Sequence, residues 1–211
     1  MVSTFSNRGR AQIKEYLDSL ASDHPTPGGG SASAFAGALA ASLVSMTAGL
    51  SVKKGSLEKK KAMEIKRKAW TLQKRLFRAI EEDAQAYEEV LNAFRLPKDT
   101  EKERLHRSRR IQKAYQKATV IPQQVCQYSL PLLEFSRTLI SKGNPNAFSD
   151  AGVAASLAGT AIEGGLLNIK INLGAITDRA FVRRMRAFMG QMAKRKNALM
   201  KPILKRLEEM G

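Results

Sequence analysis

The chain has 211 residues with 36 Lys and Arg against 19 Asp and Glu, a formal charge of +17, one Cys and 43% hydrophobic residues. At about 100–200 residues per domain this is a single domain over residues 1–211, apolar enough to bury a core and not an extensively disordered chain. The lone thiol, Cys126, permits no internal disulfide, and with only His24 and His106 beside it no metal site is expected.

Met1 to Leu20 mixes charges with apolar residues and lacks the continuous apolar stretch of a secretory leader, so a cytoplasmic protein is expected. Ile13, Tyr16, Leu17 and Leu20 share one helical face and predict a first helix from about Arg10 to Ala21. It stops before Asp23-His24-Pro25-Thr26-Pro27-Gly28-Gly29-Gly30, where prolines and glycines break regular structure. A second helix is expected from near Ser31, whose hydroxyl suits a cap.

No charged side chain occurs between Pro25 and Val52. Because the stretch is filled with Ala, Ser and Gly in place of Leu, Ile and Phe, it predicts a buried core helix in preference to a membrane span. Ser33, Gly37, Ala41, Ser45 and Gly49 recur every four residues, a narrow face that lets another helix approach closely.

Leu57 to Phe94 reads as a long amphipathic helix. A fourth is expected from Thr100 to about Ile121, interrupted at Pro122, and a fifth from Gln123 to Lys142, kinked at Pro131. After the turn cluster Gly143-Asn144-Pro145-Asn146 comes a second low-charge helix, to about Leu173, with Gly152, Ser156, Thr160 and Gly164 four apart. The last helix is expected over Asp178 to Glu209, capped by Thr177. The sum is an all-α multi-helix bundle of six or seven helices, with the two small-residue helices paired at its centre, within one subunit or across an interface. Their leading ends are expected to frame a cavity edged by aspartates.

The positive charge is concentrated between Lys53 and Arg78 and between Arg179 and Arg206, both with apolar residues at helical intervals. These read as basic amphipathic helices. A basic nucleic-acid-binding helical protein is one reading of them, opposed by the low aromatic content and the lack of a recognisable reading motif.

Four patterns carry candidate chemistry. Gly28-Gly29-Gly30-Ser31 opens a helix, where backbone N–H groups and the helix dipole favour an anion or a developing oxyanion; a plain flexible connection explains the glycines equally well. Asp83 sits inside a helix although Asp has poor helix propensity, with Tyr87 one turn on; ion pairing to Arg78 or Lys74 is the competing explanation. Asp150 falls in the first turn of its helix, where the dipole favours a carboxylate whatever the function. Asn168 and Asn172 share a face as either ligand contacts or helix-end caps.

Six segments in order resemble the cyclodeaminase/cyclohydrolase family of one-carbon folate metabolism: Pro25 to Ser31 with the following small-residue helix, Asp83-Ala84-Gln85-Ala86-Tyr87, Phe94 to Lys98, Ala118 to Pro122, Gly143 to Ala154, and Asn168 to Leu173. The sequence departs from the family pattern at Glu81, at Gly49 and in Lys53-Lys54-Gly55-Ser56. The resemblance implies an all-helical subunit that forms a homodimer and holds its folate near the glycine loop. The implied substrate-binding residues are Gly28, Gly29, Gly30, Ser31, Pro97, Lys98, Asn146, Asn168 and Asn172, and the implied catalytic carboxylates are Asp83 and Asp150.

The implied reaction is hydrolysis of 5,10-methenyltetrahydrofolate to 10-formyltetrahydrofolate. The substrate carbon is already cationic, so acid/base groups suffice and no cofactor is expected. Formiminotetrahydrofolate cyclodeaminase activity, releasing ammonia, is the alternative, and a non-enzymatic folate-binding protein is another. The basic helices fit an anionic glutamate or polyglutamate tail, or are a solvated surface unrelated to the site. Nucleic acid and membrane are not expected as partners.

Overall fold

Six α-helices carry the chain in this computed structural model, which describes residues 6–209: α1 (Asn7–Leu20), α2 (Gly29–Lys54), α3 (Lys59–Phe94), α4 (Glu101–Lys142), α5 (Phe148–Leu173) and α6 (Arg179–Glu208), with a 3₁₀ turn at Pro145–Ala147. No strand occurs among the described residues. The helix starts follow local chemistry. Thr100 accepts from the Glu103 N–H while the Glu103 carboxylate accepts from the Thr100 N–H, a capping box that begins α4.

Two helix caps differ from the sequence reading. α6 is capped by Asp178, which accepts from Ala180 and Phe181 N–H at 2.9 and 3.0 Å, because Thr177 is already engaged with Gln112 Oε1 through both its N–H and its hydroxyl. α2 begins at Gly29, two residues before Ser31, with Gly28 at the cap position and no side chain capping it locally.

The expected break at Pro122 is absent; α4 runs through Pro122 and Pro131 without interruption. A helical proline leaves the carbonyl four residues earlier without its N–H donor. For Pro122 that carbonyl belongs to Ala118, and the Asn172 side-chain amide donates to it at 3.2 Å. For Pro131 it belongs to Gln127, which lies on the exposed side of α4.

α2 and α5 pack against each other at the centre, wrapped by α3, α4 and α6. Each is long and apolar enough to cross a membrane, and each instead has about half of its most apolar window buried, 44% and 50%. Their approach is close because side chains are missing where they touch. A methyl group at Gly164 would collide with Ser33 across that contact; the same economy draws in the neighbouring helices, one at Gly37 lying 2.9 Å from both Leu76 Cδ2 of α3 and Ser129 Oγ of α4, and one at Gly165, on the α4–α5 seam, lying 2.6 Å from Cys126 Sγ. Cys126 is fully buried in this seam, its thiol donating to the Ile162 carbonyl at 3.4 Å, and burial pushes its pKa up to about 12.

The expected α2 stripe is buried at Ser33, Gly37 and Ala41, but the α5 stripe is rotated from the predicted one. Ser156 and Thr160 are exposed; of the predicted row only Gly152 and Gly164 pack, against Leu207 of α6 and Ser33 of α2, and α5 otherwise buries Ala151, Ala154, Ala155, Ala158, Ala161 and Gly165. Four residues advance a helix by more than one turn, so a strict every-fourth row drifts about 40° per step and leaves the contact line.

The pair is antiparallel. Gly29 faces Asn168 and Ser33 faces Gly164, whereas Ser51 Oγ accepts from Asn144 N–H at 3.0 Å at the opposite end. The leading end of α2 therefore meets the trailing end of α5, and the leading ends of the two helices do not frame a common cavity within one subunit.

Candidate active site

The antiparallel arrangement opens a cleft of about 330 Å³ where the start of α2 meets α3, α4 and the end of α5. Pro25, Thr26, Gly28, Gly29 and Gly30 form one wall. Asp83, Tyr87 and Val90 face it from α3, Tyr115 and Ala118 from α4, and Asn168, Ile171, Asn172 and Ala175 from the end of α5 and the loop after it. The spacings 83/87 and 168/172 are one helical turn each, which is why each pair reaches one cleft.

Asp83 is the only carboxylate in this lining. It stands so close to the start of α2 that a Cβ on Gly30 would overlap its carboxyl group. Desolvation by this packing raises its pKa above the ordinary carboxylate value, and the Ser31 backbone N–H, which it accepts from, works in the opposite direction. Asp83 thus supplies from α3 the anionic cap that α2 lacks at Gly28. Among the described residues it forms no ion pair, and Lys74, one candidate partner from the sequence, instead lies over the Trp70 ring at 3.5 Å.

The loop after α5 is clamped to α4. The Gln112 amide donates to the Ala175 carbonyl at 2.8 Å, and Gln116 donates to Asp178 at 3.3 Å. Tyr115 is held edge-on against Phe94 with ring centroids 6.2 Å apart. The floor and one aromatic wall are therefore fixed by contacts outside the cleft.

The structure brings together Gly28, Gly29, Gly30, Asp83, Asn168 and Asn172 of the predicted site residues. Ser31 lies just behind the glycines, fully buried, its hydroxyl sharing a 3.1 Å hydrogen bond with Tyr16. Pro97 and Lys98 sit in the exposed turn between α3 and α4, outside the cleft lining.

Asn146 and Asp150 are not brought there. They lie beside the far end of α2, where Asn146 N–H donates to Asn144 Oδ1 at 3.0 Å and Asn144 reaches Leu50 and Ser51. Twenty-one residues of helix from Gly30 to Ser51 put that end roughly 30 Å from Asp83. Gly49 and Gly55 belong to the same far end; Gly55 ends α2 with φ +69°, a conformation that favours glycine.

Tyr115, Val90, Ile171 and Ala175 were not legible as site residues. Tyr115 and Val90 sit at ordinary core spacing, and Ala175 reaches the cleft only because Gln112 holds its loop.

The family profile described as formiminotransferase-cyclodeaminase matches residues 12–191. The chain is 35% identical over 188 residues to a methenyltetrahydrofolate cyclohydrolase of Methylorubrum extorquens, covering 88% of this chain and 90% of the relative. It is 28% identical over 201 residues to a formimidoyltransferase-cyclodeaminase of Sus scrofa, covering 93% of this chain and 37% of that longer protein. The crystal structure of a formiminotetrahydrofolate cyclodeaminase from Thermotoga maritima superposes with a TM-score of 0.84 at 27% identity, covering 94% of this chain and 96% of that one. With its profile match, its relatives and its superposed fold in agreement, the chain belongs to the formiminotransferase-cyclodeaminase family.

Proposed function

We propose that the protein is a cytoplasmic methenyltetrahydrofolate cyclohydrolase with Asp83 as its base. The observation that carries this reading is a single desolvated carboxylate set against a helix start, in a cleft walled by aromatic and amide side chains. The 35% relative that is itself called a methenyltetrahydrofolate cyclohydrolase supports the choice of reaction.

The substrate carries a positive charge over N5, the bridging carbon and N10. Asp83 stabilises that charge and accepts a proton as water adds to the bridging carbon. The proton then passes to N5 as the carbon–N5 bond breaks and the formyl C=O forms on N10. The second water proton leaves to solvent, so one water is consumed and one proton released. A carboxylate with a raised pKa is a better base for this than an ordinary one. Water and the substrate's own cation supply the remaining parts, so the reaction as drawn uses no cofactor.

The second reading, formiminotetrahydrofolate cyclodeaminase, is favoured by the superposition on the Thermotoga protein. It uses the same carboxylate, with N10 as nucleophile and ammonia as leaving group. Following loss of methenyltetrahydrofolate absorbance beside ammonia release from the formimino substrate separates the two. Hydrolysis without ammonia release supports the first reading, the reverse supports the second, and neither activity rejects both.

In this reading a glutamate or polyglutamate tail lies along the groove between α3 and α4, where Arg110 and Lys113 stand beside the Lys117–Glu89 ion pair. The two basic stretches singled out in the sequence contribute nothing to the cleft lining.

The working unit in this proposal is a homodimer. α2 exposes Leu39 and Met46, and α3 beside it exposes Met63, Trp70 and Phe77 at seven-residue intervals. A two-fold contact through Ser42, midway along α2, would run two copies of α2 antiparallel and carry the Asn146 and Asp150 end of one subunit toward the Asp83 cleft of the other. That contact keeps Asp150 in the proposed machinery despite its distance within one subunit.

A further inference from the structure

The amide groups of Asn168 and Asn172 are oriented by backbone acceptors. Asn168 Nδ2 donates to the Gly164 carbonyl at 2.8 Å, and Asn172 Nδ2 donates to the Ala118 carbonyl at 3.2 Å. Rotating either amide by half a turn would set its oxygen against a carbonyl oxygen, so the orientation is determined. The second bond is enforced by Pro122, which has no N–H to offer Ala118 and so leaves that carbonyl in need of a donor.

Each amide has one carbonyl oxygen left. Neither Asn168 Oδ1 nor Asn172 Oδ1 accepts a hydrogen bond from the protein, and neither is sealed from solvent without a partner. Both residues line the cleft, one helical turn apart. An uncommitted asparagine could exchange its oxygen and its NH2 group as the ligand required; in these two the oxygen is fixed in position, with one N–H of each Nδ2 held on the backbone and the other left beside it.

We infer that Asn168 and Asn172 form an acceptor pair that selects ligands by their ring N–H and amino donors. The inference rests on the folate reading, under which the complementary groups are the 2-amino group and N3–H of the reduced pterin. Pro122 is a positioning residue here: it never meets the ligand and acts by keeping Asn172 Nδ2 on the Ala118 carbonyl, which leaves Oδ1 toward the ligand. A ligand lacking a donor leaves an asparagine oxygen desolvated without a partner, which costs more than the lost bond alone.

The test compares 5,10-methenyltetrahydrofolate with its 2-desamino counterpart in wild type, Asn168→Leu, Asn172→Leu and Pro122→Ala, with helical content followed by circular dichroism. Wild type is expected to lose at least about tenfold in kcat/KM on the desamino compound, mainly through KM. The loss should shrink to within about twofold in at least one leucine variant, whose partner oxygen is gone. In Pro122→Ala the backbone N–H returns to Ala118 and frees the Asn172 amide to turn, so discrimination should weaken although no cleft group has been removed.

Wild-type turnover with equal use of both compounds overturns the acceptor pair and leaves the folate enzyme standing. So does full discrimination in both folded leucine variants. If the leucine variants do not fold, unchanged discrimination in Pro122→Ala overturns it. No turnover of either compound by wild type moves the same comparison to the formimino substrate and its 2-desamino counterpart, and turnover of none of the four removes the folate reading and this inference with it.

Discussion

The space that a side chain at Gly30 would occupy is filled by the carboxyl group of Asp83. Absence of a Cβ lets a helix start and an acid from another helix come into direct contact. Gly30→Ala must push Asp83 aside or tilt α2, and an ångström of misplacement costs about a hundredfold in rate. The expected outcome is a drop in kcat/KM of at least about a hundredfold with unchanged far-ultraviolet circular dichroism. Full activity in Gly30→Ala would contradict the proposed contact.

Activity should fall in acid, with a limb displaced above the ordinary carboxylate range because burial raises the Asp83 pKa. Asp83→Asn should remove that limb and lower kcat by about 10²–10⁴-fold, the usual contribution of a positioned acid/base group. A pH–rate profile on both proteins checks this.

The same shift has a stability counterpart. A pKa higher in the folded chain than in the unfolded one contributes stability in acid, below the unfolded pKa, and that contribution is lost as pH rises through the folded value. The stability of wild type relative to Asp83→Asn should therefore decline as pH is raised from acid toward neutrality in urea titrations. A difference that grows instead would show that the Ser31 N–H and the helix dipole outweigh desolvation.

Asp83→Asn and Asp150→Asn homodimers should each be nearly inactive if Asp150 works across the subunit boundary. Mixed, denatured and refolded together, they should recover about a quarter of wild-type activity. Half the dimers are then mixed, and each mixed dimer has one site with both acids intact. No recovery, with full activity in the Asp150→Asn homodimer, would confine the chemistry to one subunit.

Leu39→Glu and Trp70→Glu place charges on the apolar face of α2 and α3. Both residues are exposed in the single subunit, so neither change should unfold it, and sedimentation should show monomers where wild type shows dimers. Dimers that persist in the double variant would place the interface elsewhere.

The all-helical class was legible because apolar residues keep helical spacing through α1, α3 and α6, and because charge vanishes over α2 and much of α5. Asp83 and the glycines were legible as exceptions: an acid in a helix interior and three successive glycines both require a reason. Helix direction was not. Small-residue stripes state that two helices approach, and they read the same for parallel and antiparallel pairs, so Asp150 was grouped with Asp83 although it lies at the other end. Pro122 misled for a related reason. Its freed carbonyl is satisfied by Asn172, fifty residues later in sequence, and no local rule contains that partner.

The solitary thiol at the α4–α5 seam gives the chain a natural tamper seal. With Cys126 fully enclosed and its pKa up near 12, an alkylating reagent at neutral pH should label it only in molecules whose central helices have parted. The labelling rate then times the opening of the innermost layer without any engineered probe. Ligand that fills the cleft at the end of α5 should slow that clock in proportion to its occupancy.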